Sequence, residues 1–226
     1  MRSSGSDPTR LSIRCDARWH DPRVASAEVV AGVTCLAATS VAVVALVVLH
    51  VLPTGLSPMH NAVSQYGITR YRLGYRVQTI GFAVAGAAAA VGLAEAAPGR
   101  ARALIALVIV FAVARAIISW FPMDEPGAEP SGHGRMHGVL AVVTFLAITD
   151  AARRLGAVAK QVPGWTTLSG VSTAVAWLML ASLVAMLVVG RRARVNHASP
   201  SYFGAVERAF YLAIVVWLVL VGGALI

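Results

Sequence analysis

The chain has 226 residues, of which 58% are hydrophobic and only 13% charged. A water-soluble domain carries about a quarter charged residues, so this composition excludes an ordinary soluble globular fold. The net charge of +9 does not signal a nucleic-acid partner, because the basic residues, all arginine except Lys160, are spread over a tail, connections and helix ends. Basic residues so placed suit anionic lipid headgroups and set orientation in a bilayer.

Residues 1–27 are polar and rich in Arg, Ser and Pro, without the apolar core of a signal peptide. They read as a disordered cytoplasmic tail. A span needs about 20 apolar residues, because the hydrocarbon core is roughly 30 Å thick and a helix rises about 1.5 Å per residue. Backbone groups in lipid must be satisfied internally, so the spans are expected to be helices. The first covers 29–51 and the second 75–97. The second contains Gly81, Ala85 and Ala89 at spacing four, a small-residue face that lets helices approach closely. A turn from Pro98 to Arg102 leads to the third, 103–121; the fourth is 135–152, the fifth 165–190 and the sixth 205–226. The expected fold is all-α: a polytopic bundle of six transmembrane helices over 28–226. Trp120, Trp165 and Tyr202 fall where aromatic belts lie. Cys15 and Cys35 are too differently placed to pair.

Consecutive spans alternate direction, so connections one, three and five emerge on one face. Those connections hold most of the chemistry-bearing side chains. Ten basic residues of the tail and the even connections outweigh eight on the other side. This bias places the N-terminus in the cytoplasm and the rich face outside the plasma membrane.

In the third connection, His133 and His137 are four apart at the opening of the fourth helix, and Asp124 follows Phe121-Pro122. Histidines at that spacing share a helix face and can hold zinc, with Asp124 as a third ligand or orienting an imidazole and His60 completing the set. The metal-free version has His137 activating Ser64 or a water while Asp124 holds the ring. The bland version has Ser64 capping the second helix and Asp124 satisfying amides near Pro126-Gly127. Arg115 lies inside the third span, with Ser119 on the same face. A guanidinium in hydrocarbon faces the bundle interior, a cavity or an acid. It is either an anion anchor or half of an internal ion pair with Glu207 or Asp124. Glu207 and Arg208 open the last helix, with the acid placed favourably for the helix dipole. His50 and His197 have no evident partners, and a haem pair of His50 with His137 is not expected.

The motifs HNAVSQYG, FPMDEPG and GRMHG, with the late GAVERAFYLAIVVWL, make residues 28–226 resemble the six-helix prokaryotic membrane proteins grouped as domain of unknown function nine-nine-eight. The resemblance implies functional weight on Ser64, Tyr66 and Gly67, on Phe121, Pro122 and Asp124, on Gly134 and His137, and on Glu207 and Arg208. Where that family often has an acid after the serine, this chain has Gln65. A looser likeness joins it to the alkaline ceramidase and progestin-receptor superfamily, which gathers Ser, Asp and His around zinc. Here there is one helix fewer, and the paired histidines sit on the fourth helix.

The expected function is recognition or modification of a lipid or lipid-linked substrate in an outward-facing pocket. Arg115, Glu207, Arg208 and His60 would bind the substrate. An enzyme here would be a hydrolase or transferase using His137, Asp124 and Ser64. The alternatives are a scaffold or accessory subunit binding a protein partner, and a small transporter with Arg115 in its path.

Overall fold

A computed structural model describes residues 22–195 and 202–226. Six α-helices run through them: α1 Pro22–Val51, α2 Arg72–Ala96, α3 Arg102–Ile117, α4 Gly132–Ala159, α5 Thr166–Val195 and α6 Phe203–Ala224. Two 3-10 turns, Val63–Ile68 and Ile118–Trp120, occupy the first connection and the exit of α3. The described residues contain no strand. The all-α class therefore stands.

Five segments are long and apolar enough to cross a membrane: Ala27–Val51, Arg72–Ala96, Arg102–Trp120, Thr166–Arg192 and Phe203–Ala224. The chain is in this sense a multi-pass membrane protein. The expected count of six spans is not reached. At 28 residues α4 is longer than α3 and close in length to α5, but it is not one of the five. It carries His133, Arg135, His137, Asp150, Arg153 and Arg154 along its length.

α1 begins at Pro22, so the end of the expected tail is already helical. Proline suits a first helical turn, where its missing N–H has no intrahelical partner to lose. The rest of the tail, and residues 196–201 with His197, lie outside the described residues.

Each helix packs on the next in sequence, and α6 returns to α1, closing a ring. Small residues allow the close approaches. A methyl at Gly81 would come 3.0 Å from the Ala42 Cβ and 3.1 Å from the Ala38 carbonyl oxygen, so α1 and α2 meet at van der Waals limits. Ala85 and Ala89 are buried on the same face, as their spacing implies. The tight turns at Gly99 and Gly164 use φ of 77° and 84°, a left-handed backbone that glycine adopts without steric cost.

The interior is aromatic and aliphatic, with Phe82, Phe111, Phe210 and Trp217 fully buried. Hydroxyls tie its layers: Trp217 Nε1 donates to Ser172 Oγ (3.1 Å), which donates to the Ala152 carbonyl (2.7 Å). Valines and leucines such as Val30, Val44, Val139 and Leu187 point outward. Such a surface is stable facing lipid, where burial against water is not at stake.

Candidate functional site

The odd connections do converge. The Ala205 amide donates to the Met59 carbonyl (3.0 Å), joining the start of α6 to the first connection. The Ser64 hydroxyl lies 3.1 Å from Met123 Sδ, joining the first connection to the third. At the opposite end Arg100 Nη1 donates to the Gln161 carbonyl (3.1 Å), joining connections two and four. Chain alternation alone accounts for this sorting.

Glu207 and Arg208 hold the rim together. Val63 opens a 3-10 turn whose preceding residue offers no side-chain cap. The Glu207 carboxylate, from the second turn of α6, accepts the Val63 amide at 2.6 Å instead. Every nitrogen of Arg208 is engaged by the protein's own groups. Its Nε donates to His50 Nε2 (2.6 Å), Nη1 donates to the carbonyls of Asn61 (2.8 Å) and Gly204 (2.9 Å), and Nη2 reaches the Tyr66 hydroxyl (3.4 Å). His50 Nδ1 lies 2.5 Å from the Leu46 carbonyl. These two contacts require a neutral ring with its proton on Nδ1, so that Nε2 is free to accept. Gly204 is needed here, because a methyl would fall 2.5 Å from the carbonyl oxygens of both Pro58 and Asn61. Arg208 is thus a staple between α1, the first connection and α6. His50 has a partner after all, contrary to the expectation from sequence. His60 is exposed and rests its ring 5.9 Å from that of Tyr202.

The expected Ser64–His137–Asp124 relay is not assembled. Ser64 sits inside the first 3-10 turn and meets Met123; the residue capping α2 is Tyr71. His137 Nδ1 lies 2.7 Å from the Phe121 carbonyl, which orients the ring in place of a carboxylate. Asp124 Oδ2 accepts the Ser131 amide at 3.1 Å, and the Ser131 hydroxyl accepts the Gly134 amide at 3.0 Å, so this pair builds the start of α4. The metal reading fails with it. His133 stacks on Phe121 with ring centroids 5.9 Å apart, and among the described residues no three His, Cys, Asp or Glu side chains are disposed to hold an ion. His133, His137 and Asp124 do not fit zinc.

The Ser131 hydroxyl and amide hold the Asp124 carboxyl below the usual carboxylate range. A carboxyl depressed in the folded state adds stability above its unfolded pKa and loses it as pH falls through the folded one. Exchange protection of the α4 start should therefore be intact at neutral pH and fall on acidification below the ordinary aspartate range. In Asp124→Asn this fall should be absent. Gly134→Ala should give the same unprotected start at all pH values, because its methyl would overlap the Asp124 carboxylate.

Arg115 differs from Arg208 in kind. Its side chain is 1% exposed, within the apolar third span. Nη1 donates to the Tyr211 hydroxyl (3.0 Å), and the guanidinium lies 5.4 Å from the Phe82 ring centroid and 5.2 Å from that of Tyr211. Nε and Nη2 have no hydrogen-bond partner. Neither do Gln78 Nε2 and Oε1, Thr144 Oγ1 or Ser119 Oγ. Gln78 lies beside the Tyr211 phenol without meeting hydrogen-bond geometry. The alternative of an ion pair with Glu207 or Asp124 is not made: the ion pairs among the described residues are those of Asp150 with Arg153 and Arg154. Nε and Nη2 form the side-on edge of the guanidinium, the fork that takes two oxygens of a carboxylate or phosphate. Orphaned buried donors are rare, and rarer still in a span without water.

Sequence reasoning located Arg115 but missed Gln78, Thr144 and Tyr211. No spacing in the sequence ties any of them to Arg115. It also missed the Arg208–His50 bond, which no spacing rule could reveal. Comparison with curated proteins and with solved structures finds no match. The odd-connection motifs retain their family assignment: the sequence model described as "protein of unknown function (DUF998)" matches residues 36–224, nearly all of the helical ring, and the chain belongs to that family.

Proposed function

We propose that this protein is a six-span protein of the plasma membrane that recognises a lipid or lipid-linked substrate through an oxyanion bound at Arg115. The observation that carries this reading is the unpartnered Nε/Nη2 fork of a fully buried arginine. An oxyanion would satisfy both donors at once, while the Phe82 and Tyr211 rings keep the guanidinium in place. Gln78, beside the Tyr211 phenol, supplies further free polar atoms for a headgroup. The reading favours binding over hydrolysis or group transfer, since Ser64, Asp124 and His137 engage other partners. An accessory-subunit reading has the internally engaged Arg208 in its favour, but it leaves the Arg115 fork without a purpose.

The packing of α4 between α3 and α5, both apolar enough to cross, supports counting it as the sixth span. The N-terminus is then cytoplasmic, with Arg100, Arg102, Arg153, Arg154 and Lys160 on the same side and the rim outside. In a Cys-free background, cysteines at His60 and Glu125 should react with an impermeant maleimide in intact cells. A cysteine at Lys160 should react only after permeabilisation. Labelling of positions 60 and 160 from the same side would remove the six-span arrangement. Binding itself is tested by native mass spectrometry of detergent-purified protein equilibrated with anionic or neutral lipid. Retention of anionic lipid by wild type, and one bound molecule fewer in Arg115→Leu, is expected.

A further inference from the structure

We infer a second lipid site on the outer surface between α4 and α5, taking one acyl chain of an anionic phospholipid with its headgroup at Arg153. A groove of about 410 Å³ runs there along the helix axes. Leu146, Trp177, Leu180 and Leu183 line the stretch nearer the middle of the helices, while Asp150 and Arg153 line the stretch nearer the connection between α4 and α5. From Arg153 to Leu146 is seven residues of helix, about 10 Å, so a headgroup at Arg153 lays its chain along the leucines. The groove is therefore apolar toward the middle of the helices and polar toward the connection, along the direction a lipid would lie.

Charge selects the occupant. Asp150 holds two guanidiniums: Arg153 Nη2 at 2.6 Å from Oδ1 and Arg154 Nε at 2.6 Å from Oδ2. One carboxylate against two cations leaves that end of the groove net positive. The Arg153 side chain is 62% exposed, so its guanidinium remains reachable. Arg100, Arg102 and Lys160 belong to the connections at the same end of the bundle. A phosphate diester balances this charge, and a neutral lipid does not. A second copy of the chain would bring a like-charged end against it. The site shares no residue with the Arg115 cluster.

The test uses the full-length protein in detergent, titrated with phosphatidylglycerol or phosphatidylcholine and read by native mass spectrometry. Retention of phosphatidylglycerol at least about tenfold tighter than phosphatidylcholine is expected. Arg153→Glu should remove one bound molecule, Arg153→Lys should keep it, and Arg115→Leu should leave it in place. Phosphatidylglycerol brominated on its acyl chain should quench tryptophan fluorescence more in wild type than in Trp177→Phe. Equal retention of the two lipids overturns the inference, as does indifference to Arg153→Glu. A dimer that forms as lipid is stripped assigns the groove to a second copy and overturns it too. Loss of lipid in Arg115→Leu alone would retire this groove while leaving the interior site standing.

Discussion

Replacing Arg115 by leucine is expected to abolish binding of the anionic ligand at the interior site while leaving the ligand-free protein at least as stable as wild type. Two guanidinium nitrogens are buried without partners. Each such group costs about 1–3 kcal/mol, and removing both recovers that penalty. The substitution forfeits the bond from Nη1 to the Tyr211 hydroxyl, which is of similar size. It also removes a buried charge, at a smaller gain than the roughly 2.5–3.5 kcal/mol of a span centre, because Arg115 lies in the last turn of α3. The balance is no loss, or a gain of about 1–3 kcal/mol, read as an unchanged or higher Tm in detergent without ligand. Arg115→Lys keeps the charge but lacks the planar fork, and should weaken binding by about tenfold or more. A drop in stability of several kcal/mol in Arg115→Leu would instead make the guanidinium a strut, and the binding reading would lose its main support.

Arg208→Ala should behave in the opposite way. Every nitrogen of this side chain is engaged, with His50, the Asn61 and Gly204 carbonyls and the Tyr66 hydroxyl. A hydrogen bond from a charged donor contributes about 1.5–3 kcal/mol, so losing the set should cost roughly 3–5 kcal/mol after relaxation. Protease sensitivity should rise first in the first connection, whose Asn61 carbonyl loses its donor. A double-mutant cycle with His50→Ala should show coupling of about 1–3 kcal/mol, as residues in one hydrogen-bonded network do. Arg208→Lys should recover only part of the loss, because an ammonium cannot reach four acceptors in a fixed plane. Additivity of the two alanine substitutions would mean that the 2.6 Å contact carries no energy. The two arginines are equally conspicuous in the sequence, and their opposite responses would separate a binding residue from a structural one.

Much of the architecture is set by properties each residue carries locally. Apolar runs longer than a bilayer is thick must be helices, because lipid offers the backbone no other partner. Alternation of direction then sends Ser64, Asp124 and Glu207 to one end, whatever else the chain does. The small face of Gly81, Ala85 and Ala89 needs only helical periodicity to become a contact. The ends of elements were less legible. α1 starts at Pro22, earlier than its apolar run, since helix continues into polar sequence where nothing stops it.

Partnership between distant side chains could be decided only by the packed tertiary structure. Asp124, His137 and Ser64 look alike whether they form a relay or three separate contacts. They form separate contacts because the Phe121 carbonyl and the Ser131 amide reach His137 and Asp124 first. Glu207 and Arg115 have the charges for an ion pair, yet the ring of helices gives Glu207 to the Val63 amide and Arg115 to Tyr211. Hydropathy and periodicity act over a few residues and survive without the fold. A hydrogen bond depends on ångström placement of groups far apart in the chain, 158 residues in the case of His50 and Arg208, and that placement exists only once the helices have closed into a ring.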